Sequence, residues 1–85
     1  MKYQIEVTQD DINNGKPHTC SSCPVALAIS RTTNYKAEVG LYIITLFNSK
    51  GFSYRSIKIP ADIRQFIKAF DSYMPVSPFS FELDI

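Results

Sequence analysis

The chain lacks tryptophan, and its 85 residues include one histidine, two cysteines and three glycines. Each shortage excludes something. A single histidine, His18, leaves no sequence motif for a Ser-His-Asp triad. The glycines Gly15, Gly40 and Gly51 are isolated, so no glycine-rich loop is present to cradle a phosphate. No apolar run approaches the ~20 residues of a membrane helix. The longest, residues 39–47, is interrupted by Gly40 and Thr45. Charge of one sign is also missing. Nine basic residues face eight acidic ones, for a formal net charge of +1, which excludes a histone-like protein or an acidic tail. Met1-Lys2-Tyr3-Gln4-Ile5-Glu6 carries no apolar signal segment, so the expected compartment is the cytoplasm, with no membrane partner.

What is present suits one small globular domain. The hydrophobic fraction is 45%, too high for a disordered chain. At this length folding buries somewhat over ~60% of the chain's surface, so a single core is feasible but marginal. There are no repeats and no domain boundary, so residues 1–85 read as one unit.

Hydrophobic periodicity places the elements. Tyr3, Ile5 and Val7 alternate with polar residues, which marks a half-buried strand over residues 2–7. Thr8 can cap a helical turn over residues 9–14, with Asp10 and Asp11 favourable at its start. Gly15 should stop it by adopting positive φ. Cys23-Pro24 opens a helix that is apolar on most sides and ends near Thr33-Asn34. Residues 38–48 are β-rich on both faces and read as one central strand. Asn48-Ser49-Lys50-Gly51 turns the chain into a second strand over residues 52–59. Pro60 opens another helix, in which Ile63, Phe66, Ile67 and Phe70 form an apolar stripe. Phe79, Phe81, Leu83 and Ile85 alternate with Ser80, Glu82 and Asp84 in a last strand.

This order predicts an α+β fold of the split-βαβ, ferredoxin-like type: a four-stranded antiparallel sheet with two helices on one face. The other face would then be bare. Tyr42, Ile44 and Leu46, or their alternates, together with Phe52 and Tyr54, would make it too apolar to remain open, so a second copy or a partner should cover it.

Two constellations carry candidate chemistry. His18, Cys20 and Cys23 are soft ligands within six residues and suit zinc, with Asp10 or Asp11, water or a second protomer as the fourth ligand. The same Cys-x-x-Cys pair suits redox chemistry, since Cys23 at a helix start should have a lowered pKa. Pro24 follows the second cysteine, however, where a thioredoxin-like site carries its proline between the two. The preferred reading is plainer: Cys23 is a helix cap and core residue, Cys20 a loop residue beside it, and no cofactor is held. The second constellation is Lys50-Gly51-Phe52-Ser53-Tyr54, with Arg55 behind it. It is similar to part of the RNP1 pattern of RRM domains, which lays two aromatic rings on an open sheet for nucleic acid. Residues 31–68 support it with seven cations against two carboxylates. An ordinary Lys-Gly hairpin turn accounts for the same residues and is preferred.

Taken together, Val7-Thr8-Gln9-Asp10-Asp11-Ile12, Gly15, Cys20-x-x-Cys23-Pro24-Val25-Ala26-Leu27-Ala28, Phe66-Ile67-x-x-Phe70-Asp71 and Pro78-Phe79-x-Phe81-Glu82-Leu83 resemble a family of short uncharacterised proteins of bacteriophage and bacterial genomes. The resemblance covers nearly the whole chain. It implies a small accessory protein, phage-encoded and acting in the host cytoplasm by binding or inhibiting a bacterial protein. It brings no catalytic residues. The sequence reading is therefore a non-enzymatic interaction protein with a protein partner in a bacterial cytosol or a second copy in a homodimer, and with Tyr42, Lys50, Phe52, Tyr54 and Arg55 as candidate contacts. A nucleic-acid binder and a metal or redox protein are the alternatives.

Overall fold

The computed structural model describes residues 2–85. The order is β1 (Lys2–Val7), α1 (Gln9–Asn14), α2 (Pro24–Thr33), β2 (Lys36–Val39), β3 (Ile43–Phe47), β4 (Ser53–Lys58), α3 (Ala61–Asp71) and β5 (Phe79–Asp84). It forms two antiparallel sheets, one of order β1-β5 and one of order β2-β3-β4.

The class is α+β as expected, but the single four-stranded ferredoxin-like sheet is not what forms. The β-rich run over residues 38–48 is not one strand. It breaks at Gly40-Leu41-Tyr42, where the Gly40 N–H donates to the Ile43 carbonyl at 2.9 Å and closes a tight turn. An apolar run of this kind does not distinguish a strand from a hairpin, and here the chain turns at residues 40–43. The two sheets stay apart because the outer edge of β2 is already bonded. The Val39 N–H donates to the Cys20 carbonyl at 2.8 Å, and the Ala37 N–H donates to the Ser30 hydroxyl at 3.0 Å. With that edge occupied, β1 pairs with β5 instead, in register from Lys2↔Asp84 to Val7↔Phe79.

Helix α2 joins the sheets by packing on both β1 and β2. That position explains its sequence. Val25, Ala26, Ala28 and Ile29 are all buried, so a one-sided stripe would not have sufficed. Cys23 caps it, with Pro24 in its first turn, as the sequence predicts. The core continues through Ile5, Val7, Ile44, Leu46, Ile63 and Leu83. α3 contributes Ile63 and Ile67, while Phe66 meets Phe79 of β5 with ring centroids 4.6 Å apart.

Helix α1 is short but fixed. Thr8 and Asp11 form a reciprocal capping box. Gly15 ends it with φ −70°, so the expected positive φ is absent. The glycine is required for space. A Cβ there would lie 2.7 Å from the Pro24 ring and 2.9 Å from the Asp11 carbonyl. Gly51, by contrast, has φ +83° and open space around it. Gly15→Ala is expected to cost about 1–3 kcal/mol through overpacking. Gly51→Ala is expected to cost about 1 kcal/mol through backbone strain. Asparagine tolerates left-handed backbone, so Gly51→Asn should restore most of the loss while Gly15→Asn restores none; urea unfolding midpoints check both.

Candidate functional site

The cysteine loop and the β2-β3-β4 sheet are the two regions where candidate residues meet. In the loop, the Lys16 N–H donates to the Ser22 carbonyl at 2.8 Å, and the Thr19 hydroxyl donates to the Lys16 carbonyl at 2.6 Å. The His18 N–H reaches Asp71 Oδ1 at the end of α3, at 3.0 Å. His18 sits at φ 60°, and its ring meets Tyr73 edge-on at 6.4 Å. A cavity of about 240 Å³ opens between these parts, lined by His18, Cys20, Cys23, Gly40, Ile67 and Asp71.

The structure thus brings His18, Cys20 and Cys23 to one cavity. The carboxylate that joins them is Asp71, 53 residues from His18, and nothing in the sequence pattern pointed to it. Neither Asp10 nor Asp11 lines this cavity. Asp11 is instead engaged by Arg31 of α2. Among the described residues, no group of three or more histidine, cysteine, aspartate or glutamate side chains is placed to hold a metal ion.

Both cysteines are free thiols, Cys20 exposed and Cys23 buried. Cys23 Sγ accepts the Ala26 N–H at 3.4 Å. The expected lowering of its pKa does not occur. Burial pushes the thiol above its ordinary value, Asp71 and Cys20 add to that, and the backbone N–H groups of Ala26 and Val25 do not compensate. A deactivated, buried thiol is a poor nucleophile. In the native protein at neutral pH, iodoacetamide is therefore expected to modify Cys20 alone, with Cys23 reacting only after denaturant is added. Intact mass reads one adduct before unfolding and two after; two adducts at equal native rates would contradict the burial.

The second region is the β2-β3-β4 sheet. Its inner face carries Ala37, Val39, Ile44 and Leu46, all buried. Ile44 and Leu46 therefore do not belong to an open face, and the alternate residue Ile43 takes that role at 50% exposure. Tyr42 is 59% exposed, Phe52 68% and Tyr54 54%. Lys50, Arg55 and Lys58 are exposed beside them. The Arg64 guanidinium lies over the Tyr42 ring, 5.5 Å from its centroid. A register shift at Leu46/Phe47 sets Phe47 opposite Ser53, and Tyr54 stacks on Tyr35 with centroids 4.9 Å apart. One face of the Tyr54 ring is thereby occupied, unlike the pair of open rings the RNP1 pattern supplies.

The candidates Tyr42, Phe52, Tyr54, Lys50 and Arg55 are all exposed, and beside them lie Ile43, Lys58, Arg64 and Leu41, which is 41% exposed; of these the sequence pattern singled out none by name. The missing signal was the turn at Gly40. Once the run is split there, alternation along β3 sets Ile43 outward and Ile44 and Leu46 inward. No helix among the described residues is long and apolar enough to cross a membrane. Comparisons with known protein families, with curated proteins and with solved structures found no match.

Proposed function

We propose that this protein is a non-enzymatic binding module that works through the β3-β4 hairpin and the turn before it. One observation carries the reading: Tyr42 and Ile43 at one end of the β3-β4 hairpin, and Phe52 and Tyr54 at its turn end, are all at least half exposed, among cations. Large apolar side chains left in water at both ends of one hairpin mark it as a surface that another molecule takes up. Aromatic residues ringed by arginine and lysine are the composition of interaction hot spots. The resemblance to short phage proteins supports a host bacterial protein as the partner and inhibition or redirection of that protein as the outcome.

The test is capture from bacterial lysate with cross-linking mass spectrometry, comparing the wild-type chain with a Tyr42→Ser/Phe52→Ser variant. Both side chains are exposed, so the variant should fold normally. Capture of a specific protein, with cross-links at Lys50 and Lys58 and a loss of at least about tenfold in the variant, is the expected result. Cross-links confined to the α1 side of the molecule, or recovery of nucleic acid in place of a protein, would overturn the reading.

A further inference from the structure

We infer that β4 takes its partner by strand addition, and that the added strand is an acidic extended segment with apolar residues at alternate positions. The inference rests on the binding-surface reading above and specifies how that surface works.

The edges of the β2-β3-β4 sheet are unequal. The β2 edge is occupied by the Cys20 carbonyl and the Ser30 hydroxyl. The β4 edge has no strand beyond it, and no loop or helix among the described residues bonds to residues 53–58 from that side. In an antiparallel ladder every second residue turns its N–H and C=O away from the neighbouring strand. The six-residue strand therefore presents a row of unpartnered backbone groups, the template on which an extended segment adds. The register irregularity lies at the turn end, and the pairing from Leu46↔Arg55 to Ile43↔Lys58 is regular.

Charge identifies what fits. Residues 48–60 contain Lys50, Arg55 and Lys58 and no acidic residue. Arg55 and Lys58 stand on opposite faces of the strand, since side chains alternate. Two β4 strands paired with each other would set four cations along one ladder, and like charges across a ladder are destabilising. The same charges favour an acidic strand, directly opposite or one step diagonal. Apolar contact is provided at the far end, where Tyr42, Ile43, Ile57 and the stem of Lys58 line a cleft of about 300 Å³ beside the edge. A segment that alternates acidic and apolar residues satisfies the open backbone groups, sets its carboxylates on the Arg55 face, and lays its apolar side chains on the Lys58 face, against the cleft.

The probe is an eight-residue alternating valine–glutamate peptide, with its valine–lysine counterpart as control, added in large excess to the whole chain. Readouts are amide hydrogen exchange of residues 53–58 and sedimentation. The expected result is at least about tenfold slower exchange of the outward-facing β4 amides with the glutamate peptide, and none with the lysine peptide. Arg55→Glu/Lys58→Glu, at two exposed positions, should reverse that preference while the melting curve stays in place. Equal protection by both peptides, no protection by either, or protection lost on dilution through self-association of the chain would each overturn strand addition. The binding-surface reading fails by a different result, partner cross-links away from the sheet, so the two failures are distinguishable.

Discussion

Removing either partner of the Asp11–Arg31 ion pair is expected to destabilise the protein by about 2–3 kcal/mol. Asp11 lies on a short surface helix, yet its side chain is only 5% exposed. It receives both guanidinium nitrogens of Arg31, together with the Thr8 N–H at 2.9 Å and the Thr8 hydroxyl at 3.1 Å. Arg31 Nη2 also donates to the Glu6 carbonyl at 2.9 Å. One guanidinium thus ties β1, α1 and α2. Breaking a wholly buried pair costs about 3–5 kcal/mol, but the Arg31 side chain is half in water, which reduces the figure. Asp11→Ala also removes half of the capping box. Arg31→Ala leaves a buried carboxylate without its cation. The double variant Asp11→Ala/Arg31→Ala should cost clearly less than the sum of the singles, read from urea midpoints; strict additivity would show that the pair does not couple.

The same contacts set a pH dependence. Burial acts to raise the Asp11 pKa, but the Arg31 hydrogen bonds and the Thr8 N–H outweigh it and hold the carboxyl below its ordinary value. A carboxyl with a lowered folded-state pKa contributes stability above its unfolded value, about 3.9, and loses it as pH falls through the folded value. The wild-type chain should therefore lose stability progressively below about pH 4. Asp11→Asn, less stable at neutral pH, should show a flatter profile over that interval.

Neighbouring isoleucines should behave oppositely. Ile44→Ala is expected to cost about 3 kcal/mol, within the range for a cavity left by a fully buried isoleucine. Against the roughly 5 kcal/mol typical of a small domain, much of the chain would be unfolded on mild heating. Ile43→Ala, one residue earlier and half exposed, should stay within about 0.5 kcal/mol. Thermal unfolding followed by circular dichroism compares them. A large loss at Ile43 in the purified protein would mean that its face is covered by a second copy.

Much of this architecture was legible from local signals. Alternation in residues 2–7 and 79–84 gave both outer strands with the correct inward faces, Tyr3, Ile5 and Val7 meeting Leu83, Phe81 and Phe79. Thr8 with Asp11, Cys23 with Pro24, and the stripe at Ile63 and Ile67 marked the three helices. These features succeed because a cap, a fixed φ or a periodic apolar face acts within a few residues of where it is written. Residues 38–48 failed because an apolar run interrupted only at Gly40 and Thr45 has no period to reveal a turn, and Gly40 alone was too weak a mark.

The site divides in the same way. The aromatic and basic residues around the β3-β4 turn were visible, because Lys50-Gly51 marks a hairpin and its flanking rings belong to adjacent strands. Their exposure was not visible. It follows from which face of the sheet packs on the core, and that is set only in the assembled fold. Asp71 beside His18, and Arg31 on Asp11, join residues 53 and 20 positions apart. No local pattern encodes such pairs, since they exist only once α2 and α3 have packed. The sequence by itself determined the three helices, the caps at Thr8 and Cys23, and β1 and β5 with their inward faces. Tertiary structure alone decided that there are two sheets, which face of β3 is buried, which thiol is silent, and which strand edge remains open. Those choices depend on competition for backbone hydrogen bonds and buried volume between distant segments, and that competition is settled only in the folded chain.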